Sequence, residues 1–186
     1  MKRALDVVIA LIIILTLLFP ILIVGLLVKL TSIGPILYWS DRVGKNNVVF
    51  KMPKFRSMKI HTPVMATHLL VDSQSHLTPI GGFLRKSSLD ELPQIWSIIK
   101  GDMSFVGPRP ALFNQGNLIE LRTKNGVHKL MPGLTGWAQI NGRDELLICQ
   151  KVALDVEYLQ HYSLWMDIKI IFLTFITVLK KDGVSH

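Results

Sequence analysis

Cysteine is almost missing from this chain. Cys149 stands alone among 186 residues, so no disulfide can form within it. No Cys-x-x-Cys pair or Cys/His cluster offers a zinc site, which fits a reducing compartment for the soluble part. The familiar phosphate-cradling loops are missing too: neither Gly-x-x-x-x-Gly-Lys-Ser/Thr nor Gly-x-Gly-x-x-Gly occurs. His61, His68 and His76 lie in one polar stretch, but their spacing matches no metal-binding motif. There is no internal repeat and no low-complexity tract. Acid is scarce, with 13 Asp and Glu against 21 Lys and Arg and a net charge of +8. Such a balance suits polyanionic partners: nucleic acid, anionic lipid head groups or phosphorylated substrates.

Charge is scarcest in one place. From Ala4 to Leu30 the only ionisable residues are Asp6 and Lys29. A run this long and apolar reads as a membrane segment, not a surface helix. Lys2 and Arg3 before it resemble the start of a signal peptide, but no small-x-small cleavage site closes the run, so the segment is expected to be retained. Pro20 sits near its middle, where it removes a helix hydrogen bond and crowds the preceding turn. Each half is then too short to span the hydrocarbon core, and positive charge flanks both ends: Lys2 and Arg3, then Lys29, Arg42 and Lys45. Break and charge suggest a re-entrant helical hairpin with both ends on the cytoplasmic face. A single kinked spanning helix fits the same residues, and the pattern alone leaves both open.

After Gly34-Pro35 the pattern changes. Ile36–Trp39 and Val48–Phe50 are β-rich runs around Gly44-Lys45-Asn46-Asn47, which predicts a hairpin. Lys59–Thr78 is polar and reads as a loop. Helices are expected over Leu92–Ile99, stopping at Gly101, and over Phe113–Lys124, Lys151–His161 and Leu164–Leu179. The last is strongly apolar and ends at Lys180-Lys181; it reads as an interfacial amphipathic helix or a core helix. The fold class is α+β, mostly helical, with a small β-hairpin. Residues 1–30 are expected to form the membrane segment and residues 31–186 a domain packed on the membrane interface.

Ser88-Leu89-Asp90-Glu91-Leu92-Pro93-Gln94 carries the most chemical information. Read structurally, Ser88 and Glu91 have capping-box spacing, and acids at a helix start complement its dipole. Read functionally, the same location draws phosphate and keeps a carboxylate ionised. Adjacent residues point in different directions, so Asp90 and Glu91 can divide the work, one attacking phosphorus and the other handling a proton or metal-bound water. Carboxylates beside phosphates recruit Mg²⁺. Cations lie nearby in sequence: Lys54 and Arg56, Arg85 and Lys86, Arg143, and Arg109 within Gly107-Pro108-Arg109-Pro110, where two prolines restrict the backbone and an arginine fork matches phosphate oxygens.

Leu84–Gln94 and Lys100–Pro110 together resemble the bacterial sugar transferases, the monotopic phosphoglycosyl transferases. Further matches are Lys54–Met58, Pro132–Arg143, and Asp155 with Tyr158, and the resemblance runs from the N-terminal Lys-Arg-x-x-Asp to the end. The length resembles the minimal form of the family, without added N-terminal spanning helices. The resemblance implies a monotopic protein of the bacterial inner membrane, with a re-entrant helix broken at Pro20 and a cytoplasmic catalytic domain. It implies Mg²⁺ held by Asp90 and Glu91, and ping-pong chemistry between a UDP-sugar and polyprenyl (undecaprenyl) phosphate. Asp90 is the implied nucleophile. Arg85, Arg109, Arg143, Arg56, Pro108 and Asp155 are the implied binding residues for phosphates or nucleotide. The product would enter glycoconjugate assembly by downstream glycosyltransferases. The sequence departs from the family at Phe19, where several relatives carry Ser, and in the low acidity of Lys59–Thr78.

A non-enzymatic membrane scaffold of glycan assembly would also explain the anchor and the charge, but not Asp90-Glu91 with Gly107–Pro110. A nucleic-acid binder is disfavoured by the apolar N-terminus and the lack of a binding motif.

Overall fold

A computed structural model describes residues 2–64, 72–142 and 146–179. The first element, α1 (Lys2–Thr31), is one helix assigned without interruption through Pro20. Proline there leaves the Thr16 carbonyl without its usual donor. The Thr16 hydroxyl bonds back to the carbonyls of Ile12 and Ile13, at 2.9 and 3.1 Å.

Both ends of α1 pack on the same domain. At its start, Asp6 is buried and accepts bonds from the Ser104 hydroxyl and the Phe105 amide, each at 3.1 Å. Arg3 donates to the carbonyls of Ile98 and Ile99. At its end, Val24 and Val28 join Phe55 and Leu84 in a buried cluster, and Gly25 faces Ile36 and Phe55. Between these ends Ile13 and Ile14 still touch the core, but one face of the helix is uncovered, with Leu15 at 76% and Phe19 at 72% exposed.

The hairpin forms as expected. Strands β1 (Leu37–Val43) and β2 (Val49–Phe55) pair antiparallel from Leu37↔Phe55 to Val43↔Val49. Asn46 and Asn47 close the turn with positive φ, which asparagine tolerates better than most residues. Lys59–Thr78 is pinched at its ends, where Met58 bridges Leu77 and the Lys59 amide bonds the His76 carbonyl; Ser73–His76 forms a 3-10 turn, and residues 65–71 lie outside the described residues. A short helix, α2 (Gly81–Lys86), follows.

The helix expected over Leu92–Ile99 is two pieces. Pro93 lies inside a 3-10 helix, Leu89–Gln94, and the α-helix α3 occupies Ile95–Lys100, closed by Gly101 at φ 100°. Proline cannot supply the amide an α-helix needs at that point, so the tighter turn ends before α3 begins. Two very short strands follow, β3 (Ser104–Val106) and β4 (Ala111–Leu112). Strand β4 adds to the hairpin in the order β2-β1-β4, while β3 pairs in parallel with β5 (Gly133–Thr135).

Helix α4 begins at Gly116, not Phe113, and ends at Lys124. The Leu112 amide bonds the Gln115 side chain and the Gln115 amide bonds the Leu112 carbonyl, turning the chain first. Then come α5 (Trp137–Ile140), α6 (Ile148–Gln160) and α7 (Leu164–Leu179). On α7, Ile170 and Asp167 are buried, while Trp165, Ile168, Phe172 and Phe175 form an exposed apolar stripe at helical spacing.

The main core gathers Ala10, Phe50, Met52, Ile95, Ile98, Met103, Phe105, Val106, Tyr158 and Ile170. Each large apolar side chain among them contributes roughly 1.5–3 kcal/mol by leaving water. This core therefore ties α1, the hairpin, α3, β3, α6 and α7 into one unit.

Candidate active site

The 3-10 helix Leu89–Gln94 packs against β2, bringing the acidic pair to the hairpin's basic end. The residue entering it, Ser88, has φ 57°, an uncommon conformation for a side-chain-bearing residue. The expected capping box is not made. Ser88 provides no side-chain cap, and the Glu91 amide bonds the Ser88 carbonyl instead, at 3.1 Å. The Glu91 carboxylate is occupied elsewhere: Lys54 Nζ donates to its Oε1 at 2.7 Å and Arg109 Nη2 to the same oxygen at 3.2 Å.

Asp90 is buried, with 7% of its surface exposed. Burial holds its carboxyl above the usual aspartate range, and Glu91 pushes the same way. Lys54, Arg85 and Arg109 pull against them without prevailing. Burial likewise lowers the Lys54 amine, with Arg109 adding to the effect, against the attraction of Glu91 and Asp90. Two carboxyls and three cations thus share one partly enclosed space. The side chain of Arg109 is 31% exposed, so the space opens to solvent on its side.

The loop carrying Arg109 is set by a close backbone crossing. A Cβ on Gly107 would strike the Met131 carbonyl, one on Gly133 the Gly107 amide nitrogen, and one on Gly136 the Gly107 carbonyl. Only glycine permits this approach. It lets the Gly107 amide bond the Thr135 carbonyl and the Gly133 amide bond the Pro108 carbonyl, both at 2.9 Å. The sequence motifs around Gly107-Pro108 and Pro132–Gly136 are therefore the two sides of one contact.

The sequence profile described as bacterial sugar transferase matches residues 1–181. The chain belongs to the bacterial sugar transferase family. It is 41% identical over 184 residues to an undecaprenyl-phosphate glucose phosphotransferase of Komagataeibacter xylinus, covering 93% of this chain and 35% of that protein. It is 41% identical over 182 residues to the UDP-glucose:undecaprenyl-phosphate glucose-1-phosphate transferase of Escherichia coli (strain K12), covering 94% of this chain and 39% of that one. An undecaprenyl-phosphate galactose phosphotransferase of Salmonella typhimurium is 36% identical over 167 residues, 81% of this chain and 34% of its own length. The chain spans little more than a third of the length of these relatives.

Not every residue expected at the site lies beside the acidic pair. Asp90, Glu91, Arg85 and Arg109 come together, and Pro108 shapes the loop. Arg56 lies elsewhere: it is buried, and its Nη2 donates to the carbonyl and hydroxyl of Ser32, just past the end of α1. Asp155 is buried behind the loop and binds Arg122. Arg143 lies outside the described residues.

The sequence alone assigns no role to Arg122, counts Arg42 only among the charges flanking the membrane segment, and marks Lys54 as a nearby cation without naming its partner. A signal for Lys54 does exist. Phe50, Met52 and Lys54 alternate along β2, so the lysine shares the face of two core residues. A cation ending an inward-facing row needs an acid to meet it.

Proposed function

We propose that this chain transfers a sugar 1-phosphate from a UDP-sugar to polyprenyl phosphate, with release of UMP. One observation carries the reading: a buried Asp90 next to a partly buried Glu91 among Lys54, Arg85 and Arg109, in a domain that holds both ends of a long apolar helix. The named activities of its relatives support it.

In the first step a carboxylate oxygen of Asp90 attacks the phosphorus attached to the sugar. The bond from that phosphorus to the bridging oxygen breaks, and UMP leaves with the electron pair. Arg109 and Arg85 balance the charge of the phosphates, as arginine forks do. In the second step an oxygen of polyprenyl phosphate attacks the same phosphorus and frees the Asp90 carboxylate, leaving a polyprenyl diphosphate sugar. Glu91 takes the proton of an acceptor phosphate that arrives protonated. One pocket thereby serves both substrates in turn.

The site also suits Mg²⁺. A hard divalent cation binds one or two carboxylates plus substrate phosphates, and a buried carboxyl whose burial its neighbouring cations do not offset is a fitting ligand. Asp90 and Glu91 would hold it, and it would supply charge neutralisation at the phosphates.

We place the chain on the cytoplasmic face of the inner membrane, with α1 entering and leaving one leaflet. A spanning helix would part its N-terminus from the domain, whereas Lys2, Arg3 and Asp6 are bonded into that domain, as Val24 and Val28 are packed onto it. The exposed stripe of α7 would lie along the same interface.

Purified protein incubated with Mg²⁺, polyprenyl phosphate and a panel of UDP-sugars should release UMP with at least one sugar. Without the acceptor it should release one equivalent of UMP and gain the mass of a phosphosugar on Asp90. A folded sample that releases none from any sugar would defeat the activity. For topology, Ala4→Cys and Lys45→Cys, each in a Cys149→Ser background, should react with an impermeant maleimide from the same side. Labelling from opposite sides would defeat the re-entrant path.

A further inference from the structure

Gly107-Pro108-Arg109-Pro110 contains two residues without an amide hydrogen, so its carbonyls have few local donors. Three successive carbonyls nonetheless each accept a bond from a different element. Pro108 O takes the Gly133 amide at 2.9 Å, Arg109 O takes Arg122 Nη1 at 2.7 Å, and Pro110 O takes Arg42 Nη1 at 3.2 Å. The middle bond belongs to the residue whose side chain reaches Glu91 in the active site.

Arg122 is itself fixed. Its Nε and Nη2 meet Oδ2 of Asp155 at 2.9 and 2.7 Å, and the two side chains are 11% and 2% exposed. Arg122 stands on α4 and Asp155 on α6, helices locked together through Leu118, Val152 and Val156. A planar guanidinium bound along one edge has its remaining Nη1 aimed in one direction only. Here that direction is the Arg109 carbonyl.

We propose that Arg122, oriented by Asp155, is a positioning residue that sets where the Arg109 guanidinium stands before the diphosphate of the nucleotide-sugar. The inference rests on the proposed transfer reaction for its substrate, but not for its geometry. It also gives Asp155 a different task from the one its motif suggests: it acts on substrate through two arginines, not by touching it. A lysine at 122 has a single point of attachment and cannot bind Asp155 and the Arg109 carbonyl with the same fixed plane.

The test is a double-mutant cycle read in UDP affinity by titration calorimetry and in the KM values of both substrates. Arg122→Lys should weaken UDP by about tenfold, the scale of one charge-assisted hydrogen bond. It should raise the KM for the UDP-sugar in proportion and leave the KM for polyprenyl phosphate within about twofold. In an Arg109→Ala background the same change should cost less than about twofold, because the group it positions is gone. Asp155→Asn should behave like Arg122→Lys and add little to it. Equal losses in both backgrounds, or a parallel rise in both KM values, would make the pair a general structural brace and overturn the proposal. If the unaltered protein binds UDP yet releases no UMP, the transfer reaction fails, while the cycle in UDP affinity still decides the role of Arg122.

Discussion

Lys2 and Asp167 stand at opposite ends of the described chain, yet their Nζ and Oδ2 atoms lie 2.6 Å apart. The same ammonium donates to the Val106 carbonyl at 2.9 Å, and the Tyr158 hydroxyl donates to the other oxygen of Asp167 at 2.5 Å. The start of α1, helix α7 and the strand leading to the Arg109 loop therefore share one largely buried ion pair. Lys2→Met should leave the Asp167 charge without its cation and cost about 3 kcal/mol, the usual effect of breaking such a pair. Lys2→Met with Asp167→Asn should cost less than the two single changes added together. Thermal unfolding in detergent micelles measures both.

Asp90 should leave its mark on pH dependence. Its carboxyl titrates above the ordinary value of 3.8, chiefly because it is buried. As the proposed nucleophile it must be ionised, so kcat/KM should rise with pH along an acid limb lying above that value. Stability runs the other way. A raised carboxyl disfavours the fold wherever it is charged, so Asp90→Asn should unfold at the same or a higher temperature near neutral pH. That advantage should shrink as pH falls through the raised value and vanish below 3.8, where folded and unfolded wild type both hold the proton. A melting temperature that drops at neutral pH would contradict this.

Lys54 gives the mirror case. Burial lowers its amine, and Glu91 is the strongest influence opposing that. Glu91→Gln should therefore destabilise the protein by about 3 kcal/mol at neutral pH. The deficit should narrow as pH rises toward 10.5, because the folded state sheds the Lys54 proton first. Adding Lys54→Met should recover part of the loss. Melting curves across pH read out both effects.

Two glycines should behave oppositely. Gly107→Ala drives a methyl group into the Met131 carbonyl, which is backbone and cannot swing aside. A cost of about 1–3 kcal/mol is expected, together with loss of UMP release, since the Arg109 loop must move. At Gly116, the first residue of α4, a Cβ would meet nothing within 4 Å. Gly116→Ala should be neutral or stabilising by about 0.5 kcal/mol, with turnover unchanged.

Much of this was legible in the chain because it is local. The hairpin follows from two β-rich runs around an Asn-rich turn, α7 from an apolar period of known length, and the acidic pair from its motif. What escaped was pairing at long range. Nothing in the periodicity near Glu91 reveals that Lys54 takes its carboxylate, so the capping-box spacing looked like an explanation. Asp155 and Arg56 show the limit of motif transfer: the matching residues are present, but one acts through Arg122 and the other anchors Ser32. Pro20 announced a disturbance, yet proline lacks only one donor, and the helix assignment continues past it.

The double attachment of α1 has a consequence for how the protein is made. Lys2, Arg3 and Asp6 leave the ribosome ahead of their partners, which lie near residues 98–106 and at 167. At roughly 5–20 residues per second, those partners emerge between about 5 and 30 seconds later. During that interval the most apolar segment of the chain exists without the domain that holds its ends. If α1 enters a bilayer as proposed, lipid would shield it during that interval, and the domain would close onto a helix already inserted.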